Sequence, residues 1–160
     1  METHADILDM HLSSQCACSK LRQLTRKLSN IYDHFLAEDG LTISQYAFLA
    51  RIGKYGQIGV IPLAADFGMD RSTMSRGLKP LIRVGWIEIV DLPLEMLTDK
   101  RSFGVCLSPA GERKWKSAFP NWRKAQDEIG TLLGGNALQN LVGLVDDANI
   151  KIEKFEKVVS

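Results

Sequence analysis

Residues 70–87 have the pattern of a capped helix that turns directly into a strand, which constrains the fold more than any other stretch. Asp70 is a favourable N-cap, because its carboxylate can accept hydrogen bonds from the unpaired amides of a first helical turn. Apolar residues then recur at three- and four-residue spacing and predict the inward side: Met74, Leu78, Leu81 and Ile82. The remaining positions carry hydroxyls and basic groups: Arg71, Ser72, Thr73, Ser75, Arg76, Lys79 and Arg83. This side fits either a DNA major groove or an ordinary solvated helix surface, so the neighbouring segments must decide.

Composition bounds the class of protein. The chain has 160 residues, of which 45% are apolar and 24% charged, as expected for one globular domain with a buried core. The net charge is only +1, so a basic surface for nucleic acid would have to be local. The sequence has no apolar run long enough to span a membrane, no signal-peptide pattern at its start, and three cysteines without disulfide-framework spacing. We therefore expect a cytoplasmic protein with no membrane partner.

The segments before residue 70 predict a helix-turn-helix. Thr42 and Gln45 fit a capping box that opens a helix. A glycine-containing link follows at residues 55–59, and Pro62 is well placed as the first residue of a short helix that ends at Phe67. A short helix, a glycine turn and a polar-faced helix make the helix-turn-helix pattern.

The segments after this helix predict a β-hairpin. Trp86–Val90 and Phe103–Leu107 are rich in residues that favour strands, and a loop joins them. The polar-faced helix that begins at Asp70 would be the recognition helix of this motif, the one that contacts DNA. Two strands directly after a recognition helix form a wing. A helix-turn-helix followed by a wing is a more specific pattern than either alone.

Long amphipathic helices are predicted at both ends of the chain. One covers Ser13–Ala37, and another begins at Ser108 and contains Pro120, which should kink it or interrupt its hydrogen bonds. A break at residues 134–136 precedes a last helix, which brings the prediction to six helices. Its apolar residues repeat at helical intervals: Leu138, Leu141, Val142, Val145, Ala148, Ile152, Phe155 and Val159. This stripe suits an intrachain core or a dimer interface, and helix-turn-helix proteins commonly dimerise.

Taken together, these motifs resemble the MarR/SlyA family of winged helix-turn-helix transcription regulators. The resemblance runs from Ser13 onward and rests on these stretches: Leu41–Tyr46, Leu63–Ala64, Asp70–Arg76, Leu78–Leu81, Gly85–Ile87, Asp99–Arg101 and Val105–Gly111. It implies a mainly α fold with a small β-hairpin, in one domain over residues 1–160. A winged core at about residues 41–107 would be flanked by dimerisation helices at about 13–37 and 109–160. It also implies a homodimer that binds a palindromic double-stranded DNA operator and needs no cofactor.

The resemblance also assigns roles to individual residues. It places hydroxyl and basic side chains of the recognition helix against bases and phosphates, with a helper arginine at its start: Ser72, Thr73, Ser75, Arg76, Lys79 and Arg71. In the wing, Arg101 would reach the minor groove, Asp99 would hold it, and Lys100 would contact phosphate. The chain departs from the family at residues 91–98, where the loop is longer than usual and carries two acidic residues.

Two signals could control such a regulator. The family binds small aromatic or anionic effectors between its arms and its DNA-binding core, where the corresponding residues are Tyr32, His34, Trp115, Phe119 and Trp122. Packing is the alternative role for these side chains. One branch of the family senses peroxide through a cysteine of the first helix, which here offers Cys16 and Cys18. Residues two apart point about 200° from each other on a helix, so a disulfide between them is unfavourable, and packing is again the alternative.

Three classes of function can be compared against these observations. The first is a DNA-binding regulator, most simply a dimeric repressor that an effector releases, with a thiol-switched regulator as its variant. The second is a winged-helix module that contacts only proteins. The third, an enzyme, lacks support, because the sequence has no phosphate-binding glycine loop, nucleophile elbow or metal-ligand spacing. Charge at the centre of the recognition helix disfavours the protein-binding module.

Overall fold

The computed structural model describes residues 16–96 and 102–159. In chain order, its helices and strands are α1 (Ala17–Leu36), α2 (Ile43–Tyr55), β1 (Gln57–Gly59), α3 (Val60–Asp66), α4 (Arg71–Arg83), β2 (Ile87–Val90), β3 (Gly104–Leu107), α5 (Pro109–Leu133) and α6 (Ala137–Val159). Short 3-10 turns come after α1, at Ala37–Asp39, and after β2, at Leu94–Met96. The described residues thus form six α-helices and a small sheet, which confirms the predicted mainly α winged helix-turn-helix fold.

The sheet has one strand more than the predicted hairpin. Its order is β1-β3-β2, and both neighbouring pairs are antiparallel, with Val105 opposite Ile58 on one side and Ile89 on the other. The prediction of a link at residues 55–59 was therefore wrong for the part that forms β1. A strand of three residues is too short to show an alternating pattern, and only its pairing with β3 defines it.

The short helix α3 also begins earlier than predicted. Gly59 is its N-cap, so Pro62 is the third helical residue rather than the first. Proline is tolerated there because the first amides of a helix have no acceptor within the helix. The helix ends at Asp66, and Phe67 is its C-cap.

Local capping signals were predicted correctly. The Thr42 hydroxyl accepts a hydrogen bond from the Gln45 backbone N–H, and the Gln45 side chain accepts one from the Thr42 N–H, which completes the capping box of α2. Gly134 and Gly135 adopt positive φ and end α5 where a break was expected. α5 runs through Pro120 without a break.

The chain divides into two compact units, each described here by itself. Residues 32–122 form the winged core, and the described residues before 32 and after 122 form the arm unit. In the winged core, fully buried side chains come from the helices and the sheet alike: Leu36, Leu49, Ile52, Val60, Leu63, Met74, Leu78, Leu81, Ile87 and Val105. Gly77 of α4 packs so closely on α2 that an added Cβ would lie 2.7 Å from the Phe48 ring.

The arm unit leaves much apolar surface uncovered. None of residues 137–159, which form α6, is buried, whereas Ala125 and Ile129 of α5 are. Ile152 and Phe155 of the predicted apolar stripe are 56% and 65% exposed. Within residues 16–96 and 102–159, the stripe is therefore not part of a buried core.

Candidate DNA interface and ligand cleft

The first turn of α4 is held by Asp70, as predicted. One carboxylate oxygen, Oδ1, accepts the Thr73 backbone N–H at 2.8 Å, and the other, Oδ2, accepts the Thr73 hydroxyl at 2.6 Å. The hydroxyl bond and then the backbone bond hold the pKa of the Asp70 carboxyl below its usual range. Asp70 is therefore ionised at neutral pH and adds negative charge at the positive end of the helix dipole.

The two sides of α4 differ as the sequence predicts. Met74, Leu78 and Leu81 are buried, and Ile82 is partly buried against them. On the other side the basic and hydroxyl side chains are exposed or half-buried: Arg71, Ser72, Thr73, Ser75, Arg76 and Lys79. The Arg76 Nη2 donates to the Thr73 hydroxyl oxygen at 3.3 Å. α4 thus presents hydrogen-bonding groups and positive charge away from the core.

The end of α4 is anchored to the start of α5 through Ser108. The Ser108 hydroxyl donates to the Gly85 carbonyl at 2.6 Å and accepts the Gly111 N–H at 3.0 Å. The Ser108 backbone N–H donates to the Trp86 carbonyl at 3.1 Å. A Cβ at Gly111 would overlap that same carbonyl oxygen, so only glycine allows this approach. These contacts hold the turn after α4 against the start of α5.

The wing is described only in part. β2 and β3 form its base, and Ile89 on β2 is 57% exposed. The predicted wing residues Asp99, Lys100 and Arg101 lie outside the described residues.

An aromatic cleft of about 350 Å³ lies between α2 and α5 of the winged core. Three of the five residues predicted for an effector pocket line it: Trp115, Phe119 and Trp122. The Trp122 ring stacks on Tyr46 with centroids 5.8 Å apart and on Phe119 at 5.7 Å. Burial raises the pKa of the Tyr46 phenol, and the Trp115 side chain partly opposes this. The buried Trp115 Nε1–H has no hydrogen bond of good geometry to any described residue.

Two cations line the same cleft, and the sequence reasoning missed both. Arg51 and Lys54 lie on α2, and Arg51 Nε forms an ion pair with Asp66 Oδ2 at 2.9 Å. The Tyr55 hydroxyl also donates to Asp66, at 3.3 Å. The α2 residues of the cleft are spaced as one helical stripe, which was the signal that could have revealed them: Ile43, Tyr46, Ala47, Ala50, Arg51 and Lys54.

Arg51 also belongs to a series of packed residues that runs from the cleft to the middle of α4. Its guanidinium lies 5.6 Å from the centroid of the Phe67 ring, and Phe67 packs edge-on against Phe48 at 5.1 Å. Phe48 in turn supports Gly77 of α4. Arg51, Phe67, Phe48 and Gly77 thus form a continuous packed series from the cleft to α4.

The other predicted effector residues do not line this cleft. Tyr32 is half-buried against the core, and burial raises the pKa of its phenol. His34 is exposed, with its ring at the edge of Phe35, 5.4 Å between centroids.

The cysteines lie apart from the cleft. Cys16 and Cys18 are both exposed at the start of α1, whereas Cys106 on β3 is half-buried. Burial and then the nearby Glu88 charge raise the pKa of the Cys106 thiol, so this residue is a poor nucleophile. Over residues 16–96 and 102–159, no cluster of three or more His, Cys, Asp or Glu could hold a metal ion. No described helix combines the length and apolar character needed to cross a bilayer.

The helix order, the three-stranded sheet and the anchored polar helix define a winged helix-turn-helix protein. The model of the MarR family matches residues 41–93, which run from the start of the helix-turn-helix into the wing. That segment is a MarR-family domain, and the resemblance drawn from the motifs is confirmed. No curated protein matches the chain.

Solved structures of regulators are similar over nearly their whole length. A probable transcriptional regulator from Pseudomonas aeruginosa is 25% identical, with a TM-score of 0.72 over 84% of this chain and 97% of its own. The M. tuberculosis regulator MosR, in complex with DNA, is 28% identical, with a TM-score of 0.69 over 85% and 98%. A mutant E. coli MarR complexed with operator DNA is 19% identical and shares the fold, with a TM-score of 0.74 over 89% and 98%.

Proposed function

We propose that this chain is a sequence-specific, DNA-binding transcriptional regulator that acts in the cytoplasm as a homodimer and has no enzymatic activity. The observation that carries the proposal is the polar side of α4, where hydroxyls and arginines lie opposite a buried apolar side. The complex of the similar MosR with DNA supports the same use of this fold.

Each polar residue of α4 has chemistry that suits the major groove. Arginine can bind the O6 and N7 acceptors of guanine with two hydrogen bonds, which is the role we assign to Arg76. Ser72 and Ser75 can bond to bases or phosphates, and Arg71 and Lys79 are suited to phosphates. In the wing, we propose that Arg101 enters the minor groove with Asp99 as its partner and Lys100 on a phosphate.

A second copy of the chain would supply the cover that α6 lacks. Val145, Ile152 and Phe155 are exposed in one copy, although they belong to an apolar stripe of the kind that helices bury. Symmetric pairing would bury the stripe and bring two α4 helices to half-sites about one DNA turn apart, roughly 34 Å. A palindromic operator is the expected target.

Selection from a random pool of duplexes tests this function directly. The wild-type protein should enrich a palindrome, and Arg76→Ala should weaken its binding by about five- to 150-fold, since one bidentate pair is worth about 1–3 kcal/mol. The matched control is Arg113→Ala, which removes an exposed arginine from α5 instead. Arg101→Ala tests the wing in the same assay. If no duplex is enriched, the chain is a protein-interaction module; if Arg113→Ala and Arg76→Ala behave alike, the assignment of α4 is wrong.

The cleft supports control by a small aromatic anion that releases a repressor from its operator. Its walls are aromatic, and two cations, Arg51 and Lys54, line it. Benzoate should therefore quench the fluorescence of the lining tryptophans and release DNA, whereas benzyl alcohol, of the same shape without the charge, should do neither. Equal effects of the two compounds would argue against an anion site.

A thiol switch is the alternative signal, because Cys16 and Cys18 are both exposed. It requires peroxide to release DNA from the wild type but not from Cys16→Ser or Cys18→Ser. Release by peroxide that neither substitution changes would eliminate this alternative.

A further inference from the structure

The Thr73 hydroxyl lies between one group that can only accept a hydrogen bond and one that can only donate. Its oxygen is 2.6 Å from Asp70 Oδ2 and 3.3 Å from Arg76 Nη2. An ionised carboxylate has no proton to give, and a guanidinium has no acceptor. The single hydroxyl proton therefore goes to Asp70, and the hydroxyl oxygen accepts from Arg76.

Two hydrogen bonds to the Asp70 carboxylate fix this direction of the Thr73 hydroxyl. Asp70 accepts the backbone N–H of Thr73 through Oδ1 as well as its hydroxyl through Oδ2. The three residues are spaced by three along α4, so Asp70, Thr73 and Arg76 follow one another on the same exposed side of the first turns. The result is a chain of hydrogen bonds from Arg76 through Thr73 to Asp70.

We propose that Thr73 is a positioning residue, which orients the Arg76 guanidinium for DNA and donates no hydrogen bond to DNA itself. The inference rests on the proposed use of α4 in the major groove. It replaces a hydrogen bond donated to a base or a phosphate as the direct contact that the family resemblance implies for Thr73. Phosphate oxygens and the major-groove edge of guanine offer only acceptors, so a hydroxyl without a proton to give cannot bind them.

The advantage of this arrangement is preorganisation. A free arginine side chain has many rotamers, and ordering a flexible side chain on binding weakens the complex by about three- to tenfold. The bond to Thr73 restricts Arg76 before DNA arrives and leaves its other guanidinium N–H groups available, because the fork has five donors. Selectivity for the base read by Arg76 should then depend on the Thr73 hydroxyl.

A double-mutant cycle tests the inference on the duplex that the wild type selects. Thr73→Val keeps the β-branched shape and the backbone N–H but removes the hydroxyl, and should weaken binding about three- to tenfold. In an Arg76→Ala background the same change should have no further effect. Thr73→Ser, which keeps the hydroxyl, should bind as the wild type does. Losses that add, or an equal loss in Thr73→Ser, would overturn the proposal.

Two further measurements separate this role from a merely structural one. A new duplex selection with Thr73→Val should relax the same base position as Arg76→Ala does and leave the others unchanged. In the free protein, NMR titration should show the pKa of Asp70 rising toward its usual value in Thr73→Val but not in Thr73→Ser. If the wild type binds no duplex, the proposed function fails together with this role. If it binds and the cycle shows no coupling, only the role of Thr73 fails.

Discussion

The winged core and the arm unit differ in how far their apolar side chains are buried. In the core, the large side chains of α2, α4 and the sheet are buried by other parts of the same unit. On α6, a stripe of similar composition remains exposed, and no residue of the helix is buried. The winged core therefore buries its own apolar residues, whereas the described residues of one copy leave the stripe of α6 exposed.

Two glycines in helices make the sharpest contrast between the regions. Gly111→Ala in the core should destabilise the protein by about 3 kcal/mol or more, because its Cβ would overlap the Trp86 carbonyl oxygen. Gly143→Ala on α6 meets no atom within 4 Å and should stabilise the helix by up to about 1 kcal/mol. Urea unfolding monitored by circular dichroism measures both. A loss at Gly143 would instead show that a second copy packs against it.

Two isoleucines of α6 test whether the exposed stripe is an interface. If the proposed dimer forms through this stripe, Ile152→Asp should convert it to monomer at micromolar concentration, because a charge would enter the buried surface of the pair. Ile150→Asp is the matched control, since this residue is similarly exposed but lies roughly 200° around the helix. Sedimentation velocity gives the oligomeric state. If neither change alters it, α6 does not mediate dimerisation.

A smaller effect should distinguish the cations of the two regions. Arg51→Met removes the charge in the cleft and should weaken benzoate binding by about tenfold, as expected for the loss of a charge-assisted hydrogen bond. Arg22→Met, on α1 of the arm unit, should leave it unchanged. Tryptophan fluorescence titration measures both constants. Equal losses would place the binding site outside the cleft.

The smallest effect expected is a pH dependence in the stability of the first turn of α4. The pKa of Asp70 is lower in the folded protein, chiefly through the Thr73 hydroxyl, so its stabilising contribution is complete above the ordinary carboxyl pKa. That contribution should be lost as the pH falls through the lowered pKa. The protection factor of the Thr73 amide, which is the intrinsic exchange rate divided by the observed rate at the same pH, should fall over that range, while the protection factors in α6 should show no such step. Protection at Thr73 that is independent of pH would show that Asp70 does not cap the helix in solution.

The parts predicted correctly from the sequence depend on neighbours within a few residues. The Asp70 cap, the capping box of Thr42 and Gln45, and the buried side of α4 each involve spacings of three or four, which helix geometry imposes directly. β1 was missed because its evidence lies some fifty residues away, in its pairing with β3. Arg51 was missed because its partners, Asp66 and Phe67, lie at the end of α3, outside the helix that carries Arg51.

The sequence by itself determined the order of the six helices, the caps of α2 and α4, the polar and apolar sides of α4 and the family of the central segment. Hydrogen bonds within one helical turn and a regular apolar period are properties of the local chain, so they can be read without knowing the fold. Only the tertiary structure decided the third strand, the aromatic cleft with its cations, and the Ser108 anchor. These depend on groups far apart in sequence, whose approach is set by the packing of the whole core. The direction of the Thr73 hydroxyl belongs partly to each group of features. Its partners, Asp70 and Arg76, are local in sequence, but their geometry exists only in the folded helix.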